Sequence, residues 1–173
     1  VYCRSISILC HEVLPYFEGY INQVEVTDIQ EAVKLLSYPL TYFFLNLPDE
    51  KGDYAYAEGK WTIKDLIQHI IDTERIMQYR LLRVARNDST PLPGFDENLY
   101  AQAAQANERT FIALKEEFKA LRKSTDLLIS SLTENQLMNS GIASDKKVTA
   151  NAIAFILFGH LLHHKKIIEE RYL

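Results

Sequence analysis

Three of the chain's five histidines fall together in Gly159-His160-Leu161-Leu162-His163-His164. Residues four apart on a helix stack on one face, so His160 and His164 present neighbouring imidazoles on successive turns. Such a pair is half of a metal site, as in the HExxH arrangement. A third ligand must come from another helix, and the candidate is His69, inside Trp61-Thr62-Ile63-Lys64-Asp65-Leu66-Ile67-Gln68-His69. Three neutral imidazoles leave at least one coordination position open, which is the mark of a catalytic site rather than a structural one. A metal held there would lower the pKa of a bound water or hold a thiol as thiolate. Zinc or nickel suits this donor set best, with iron, cobalt or manganese as alternatives.

The pattern of apolar residues around these histidines decides which of them face inward. At about 100° per residue and with His160 at zero, Ile153, Ile156, Leu157, Ile167 and Ile168 centre at about 20°. His164 lies at about 40°, inside that stripe, and His163 at about −60°, at its margin. His164 is therefore the ligand partner of His160. On the earlier helix, Leu66, Ile70, Met77, Leu81 and Val84 centre about 80–90° away from His69. His69 thus sits on a flank shared with Asp65, Asp72 and Thr73, a polar border that suits a cleft. Asp72 and Glu74 are the nearest carboxylates in sequence, but no catalytic residue is assigned to either. No Ser-His-Asp pattern, P-loop or dinucleotide fingerprint is present.

The elements that must position these residues read as helices. Val13 to Val24 forms a short one. Thr27 or Asp28 caps the next, which runs through Leu47 and meets Pro39 mid-pattern, where a kink or a lost hydrogen bond is expected. Thr62 and Asp65 make a capping box that opens a helix reaching about Arg86. Asn87-Asp88-Ser89-Thr90-Pro91-Leu92-Pro93-Gly94 is a strong breaker, and Asp96 caps a shorter helix through about Ala104. A long helix is expected from about Asn107 to Leu132, then one or two turns opened by Thr133 and Gln136. Asn139 to Lys147 reads as a polar loop, and Thr149 caps the last helix, which ends near Tyr172. No strand alternation bounded by hairpin turns is apparent, so the expected class is an all-α four-helix bundle.

The 173 residues suit one domain, and 47% hydrophobic with 24% charged residues suits a packed core. A net charge of −4 gives no general attraction to nucleic acid or an acidic membrane. No apolar run reaches the roughly 18 residues of a membrane span. Cys3 and Cys10 are the only cysteines, which fits a reducing, cytoplasmic context. Residues 1–12 read as a leader outside the domain, its origin left open, and 13–173 as the single domain.

Several segments resemble one family. They are Tyr54-Ala55-Tyr56-Ala57-Glu58-Gly59-Lys60-Trp61-Thr62-Ile63-Lys64-Asp65, His69, Asp72-Thr73-Glu74-Arg75, Pro91-Leu92-Pro93-Gly94-Phe95-Asp96-Glu97-Asn98, and Gly159-His160 through Arg171-Tyr172-Leu173. In order and spacing these resemble the DinB-like superfamily of metal-dependent proteins, which includes YfiT and the bacillithiol S-transferases. The resemblance implies an up-down-down-up four-helix bundle. It implies one divalent metal on three histidines, at positions matching His69, His160 and His164. It also implies thiol S-transfer or hydrolysis on a small substrate, with a low-molecular-weight thiol as one partner and a homodimer as the assembly. The alternative is a non-catalytic helical module that binds a metal or small ligand.

Overall fold

The computed structural model describes residues 15–173, with side chains from 17 onward. The expectations for residues 1–12 and for both cysteines lie outside the described residues. The helices are α1 (Pro15–Ile21), α2 (Ile29–Leu45), α3 (Ile63–Ala85), α4 (Glu97–Ala104), α5 (Phe111–Ser130), α6 (Glu134–Met138) and α7 (Ala150–Arg171). Between α6 and α7 stands a two-stranded hairpin, β1 (Ser140–Ala143) and β2 (Lys146–Thr149).

The long helices begin where their side chains can satisfy the first backbone N–H groups. Asp28 accepts from Glu31 N, Thr110 from Ala113 N and Thr149 from Ala152 N. Thr62 and Asp65 form the reciprocal box expected of them, as do Thr133 and Gln136. Helix α2 continues through Pro39 to Leu45, so the proline's fixed cost there is the hydrogen bond it cannot donate.

The directions of α2, α3, α5 and α7 follow from side-chain pairs between them. From α3 to α5 or its approach, Gln68 meets Arg109, Arg75 meets Glu117 and Gln78 meets Ser124. Both numbers rise together, so α3 and α5 run parallel. From α2 to α5, Gln30 meets Ile129, Ser37 meets Asp126 and the Phe44 ring meets Phe118. Here one number rises as the other falls, so these two are antiparallel. Trp61 and His69 meet Tyr172 and His160 across α3 and α7, and Asn139 reaches Ala85, which makes that pair antiparallel as well. The order is up, down, down, up. The core joins all four helices through Phe44, Ile63, Ile70, Leu114, Phe118, Ile129, Ile153 and Phe158.

Two parallel neighbours need a connection that travels back along the bundle. Residues 86–110 make it, carrying α4. This return explains one departure from the sequence reading. The long helix starts at Phe111 and not near Asn107, because Gln105 adopts a left-handed φ of 48° and Ala106–Glu108 form a separate 3-10 turn.

The second departure is the hairpin, where the sequence suggested only a polar loop. Ser144 and Asp145, the two turn residues, have φ of 51° and 62°. Two consecutive positive φ values are those of a tight turn whose twist matches its strands. The return segment packs on this hairpin: Leu92 N donates to Ile142 O and Ser144 N to Leu92 O, both at 2.9 Å.

Candidate metal centre

His69 lies two turns into α3, behind the Thr62–Asp65 cap, while His160 and His164 lie in the middle of α7. The antiparallel packing of these helices brings the three rings together. His69 Nε2 is 3.1 Å from His160 Nε2, and His164 Nε2 is 3.0 Å from the same atom. One nitrogen from each ring falls within 4.8 Å of the other two. Tetrahedral ligands at a metal–nitrogen distance near 2 Å would stand about 3.3 Å apart, so little adjustment separates these rings from a shared ion. Among the described residues no fourth histidine, carboxylate or thiol joins the cluster.

The rings are dressed for this position. Burial lowers the pKa of His69 to about 4, although Glu97 pulls it upward. Burial, with the neighbouring rings, holds His160 and His164 well below the usual histidine range. All three are therefore neutral near pH 7, the form in which imidazole ligates a metal. His164 Nδ1 is buried without a hydrogen-bond partner. His163 is half-buried and packs edge-on against Tyr20, its ring centroid 5.3 Å away. It stays outside the cluster, as the stripe predicted.

Around the rings lies a cavity of about 560 Å³. Trp61 closes it beside His69, at 5.0 Å between ring centroids, and Tyr20 meets the His160 ring edge-on at 5.5 Å. The approach of α1 to α7 depends on Gly159. A Cβ there would stand 2.1 Å from the Tyr20 carbonyl oxygen, so only glycine lets the Tyr20 backbone come this close. Thr73, Met77, Ile156 and Leu157 form the walls, and Phe95, Glu97 and Ser144 arrive from the return segment and the hairpin.

The two carboxylates nearest His69 in sequence part ways. Asp72 accepts a hydrogen bond from Gln68 at 3.0 Å, on the side that faces Arg109, and holds no histidine in place. Glu74 lines the cavity, with Oε1 3.0 Å from Arg122 Nη1. Burial pushes the Glu74 carboxyl up, and Arg122 only partly offsets this because Asp126 shares the same guanidinium.

Sequence reasoning missed Tyr20, Arg80 and Ser144 as cavity residues, and gave Glu97 no role. Arg80 was within reach of it: eleven residues after His69 is about 20° from the same face. Ser144 depends on a turn that carries no glycine to signal it.

A profile of the DinB superfamily matches residues 39–168, a span that includes all three clustered histidines. The chain belongs to the DinB superfamily. Two relatives come from Oceanobacillus iheyensis. The protein named "Putative metal-dependent hydrolase OB0413" is 29% identical over 125 residues, covering 69% of this chain and 70% of its own. The similarly named OB0782 is 23% identical over 121 residues, covering 70% of each. The fold of this DinB protein is that of YfiT from Bacillus subtilis, described as a probable metal-dependent hydrolase with an unusual four-helix bundle topology. The TM-score is 0.67 at 16% identity, over 91% of this chain and 87% of YfiT. A mycothiol-dependent maleylpyruvate isomerase superposes with a TM-score of 0.64 at 13% identity, over 90% of this chain and 61% of its own. Among the described residues of this DinB chain no helix is long and apolar enough to cross a membrane.

Proposed function

We propose that this DinB protein is a metal-dependent enzyme in which His69, His160 and His164 hold one divalent ion, zinc or nickel first among the choices. The observation that carries the reading is the convergence of three neutral imidazoles, 3.0 and 3.1 Å apart through His160, at the wall of a cavity of about 560 Å³. The donor set fits a metal: all three rings are held deprotonated, and they supply one ligand fewer than a closed tetrahedral site needs. The metal-dependent hydrolase names of the relatives support the same chemistry at a coarse level.

The reaction class we propose is thiol S-transfer or hydrolysis on a small substrate. A bound ion would supply Lewis acidity to a thiol or water at the open position. The chain's own contribution is to orient the rings, to exclude bulk water with Trp61, Tyr20 and the apolar walls, and to place Glu97 where its charge acts on His69. Glu74 stands on the cavity wall beside the Arg122 guanidinium, its carboxyl pushed up in pKa by burial. The thiol-dependent isomerase with the same fold favours the thiol arm of this proposal.

Metal analysis of the purified protein, joined to a panel of low-molecular-weight thiols and esters, tests the proposal. Turnover should appear with a subset of these substrates, vanish on chelation and return with zinc, nickel or manganese to different extents. A folded, metal-loaded protein inert toward the whole panel would favour a binding module.

A further inference from the structure

The same cavity holds a positive charge that no acid of the described residues neutralises. Arg80 is 4% exposed and lines the cavity. Its Nη2 donates to the Pro93 carbonyl at 2.6 Å and to Ser144 Oγ at 3.0 Å, and its Nη1 faces Met77 Sδ at 3.6 Å. The Phe95 ring lies beneath it, 5.9 Å to the centroid. Every one of these partners is neutral. The other deeply buried arginine, Arg122, is held by both Glu74 and Asp126. Of the two glutamates lining the cavity, Glu74 is committed to Arg122, and the charge of Glu97 acts on His69. A guanidinium carries five N–H donors, and the bonds above engage three of them. Burial without an acid lowers the proton affinity of Arg80 from its ordinary value. A buried charge left without an acid is costly, so this placement asks for an anion.

Arg80 stands eleven residues after His69, about 20° off the same face of α3 and roughly 16 Å along its axis. Met77, Ile156 and Leu157 form the apolar wall of the cavity that holds both. We infer that Arg80, with the Ser144 hydroxyl beside it, binds a carboxylate of the substrate, whose reacting end lies at the three histidines. This rests on the reading of the cavity as a substrate site and adds the substrate class: a monocarboxylate with an apolar middle. One guanidinium supplies a single positive charge in a planar fork that matches a carboxylate at two points. A phosphate dianion would remain half-neutralised.

Trp61, the chain's only tryptophan, lines the cavity and supplies the signal. Octanoate, octanamide and octylphosphonate are titrated against the full chain by Trp61 fluorescence, both metal-loaded and after chelation. Octanoate should bind at least about tenfold more tightly than octanamide, the size expected for a buried charge-assisted pair. That preference should hold in both metal states and fall away in Arg80→Met. Arg80→Lys should keep part of it. Should Arg80→Met fail to fold, the comparison of acid and amide on the unaltered chain still decides. Equal affinities for acid and amide would overturn the inference. So would an acid preference seen only with metal and kept in Arg80→Met, which would put the carboxylate on the ion. Tighter binding of octylphosphonate would overturn the choice of carboxylate. If the chain takes up no metal, the proposed function fails, while the chelated arm still tests the Arg80 site.

Discussion

His163 and His164 are adjacent in sequence and differ by about 100° in direction, enough to give them different roles. His164 is buried against His160, and His163 is half-buried against Tyr20. His164→Ala should therefore abolish stoichiometric metal binding, whereas His163→Ala should leave it intact. Metal content per folded chain checks this, and equal loss in both variants would refute the ligand choice. Gly159 offers a second test at this scale. A methyl group there would collide with the Tyr20 carbonyl oxygen at 2.1 Å, so Gly159→Ala must push α1 away from α7. Overpacking of this kind costs roughly 1–3 kcal/mol, and it should also loosen Tyr20 from the cavity. At Gly19 an added Cβ meets nothing within 4 Å, so Gly19→Ala should stabilise by about 0.5–1 kcal/mol through helix propensity. Denaturant midpoints of the two variants should move in opposite directions. The sequence could reveal the histidines because their directions follow from helix periodicity alone. It could not reveal Gly159, whose constraint comes from a backbone packed against it from outside its own helix.

The elements divide in the same way. Helix starts were legible because a cap is a local event: Asp28, Thr62, Asp96, Thr133 and Thr149 each satisfy N–H groups two or three residues on. The start of α5 was misplaced because Gln105 turns left-handed, a conformation that its side chain does not announce. The hairpin escaped for a related reason. Its Ser144-Asp145 turn lacks the glycine that usually marks such turns, and its four-residue strands are too short for alternation to show. One residue of the cavity wall was hidden with it, since the position of Ser144 depends on that turn. The cap of α3 can be tested directly. Thr62 Oγ1 accepts from Asp65 N at 3.1 Å, and Asp65 Oδ2 accepts from Thr62 N at 2.9 Å. Thr62→Ala should cost about 1 kcal/mol and weaken metal binding slightly through His69. An unchanged denaturant midpoint would show that the cap contributes nothing.

At the scale of the whole molecule, the bundle should fold without an ion. The helices bury a core that runs from Ile21 to Tyr172, and structural metals are chiefly needed by much smaller domains. Chelation should leave the helical circular dichroism largely intact and lower the melting temperature only by the amount that ligand linkage allows. The metal-free protein should in turn be acid-sensitive. His69, His160 and His164 have folded pKa values below the unfolded value of 6.5, with His69 at about 4. Above pH 6.5 the rings are neutral in both states, and the stability they allow is fully present. As pH falls from 6.5 toward 4, only the unfolded chain takes up these protons, so stability declines. Melting temperatures of the chelated protein across this range should show the decline, and His160→Ala should reduce it.

His69, His160 and His164 should hold one ion, with a position left open to the cavity. Visible absorption of the cobalt(II)-loaded chain, before and after addition of a small thiol, tests it most directly. One cobalt per chain should give a spectrum of low coordination number, with a sulfur-to-cobalt charge-transfer band appearing as the thiol enters. Loss of cobalt binding should follow from His69→Ala, His160→Ala or His164→Ala. A stoichiometric site whose spectrum does not respond to thiol, or one that survives loss of any of these three histidines, would rule out an open three-histidine centre.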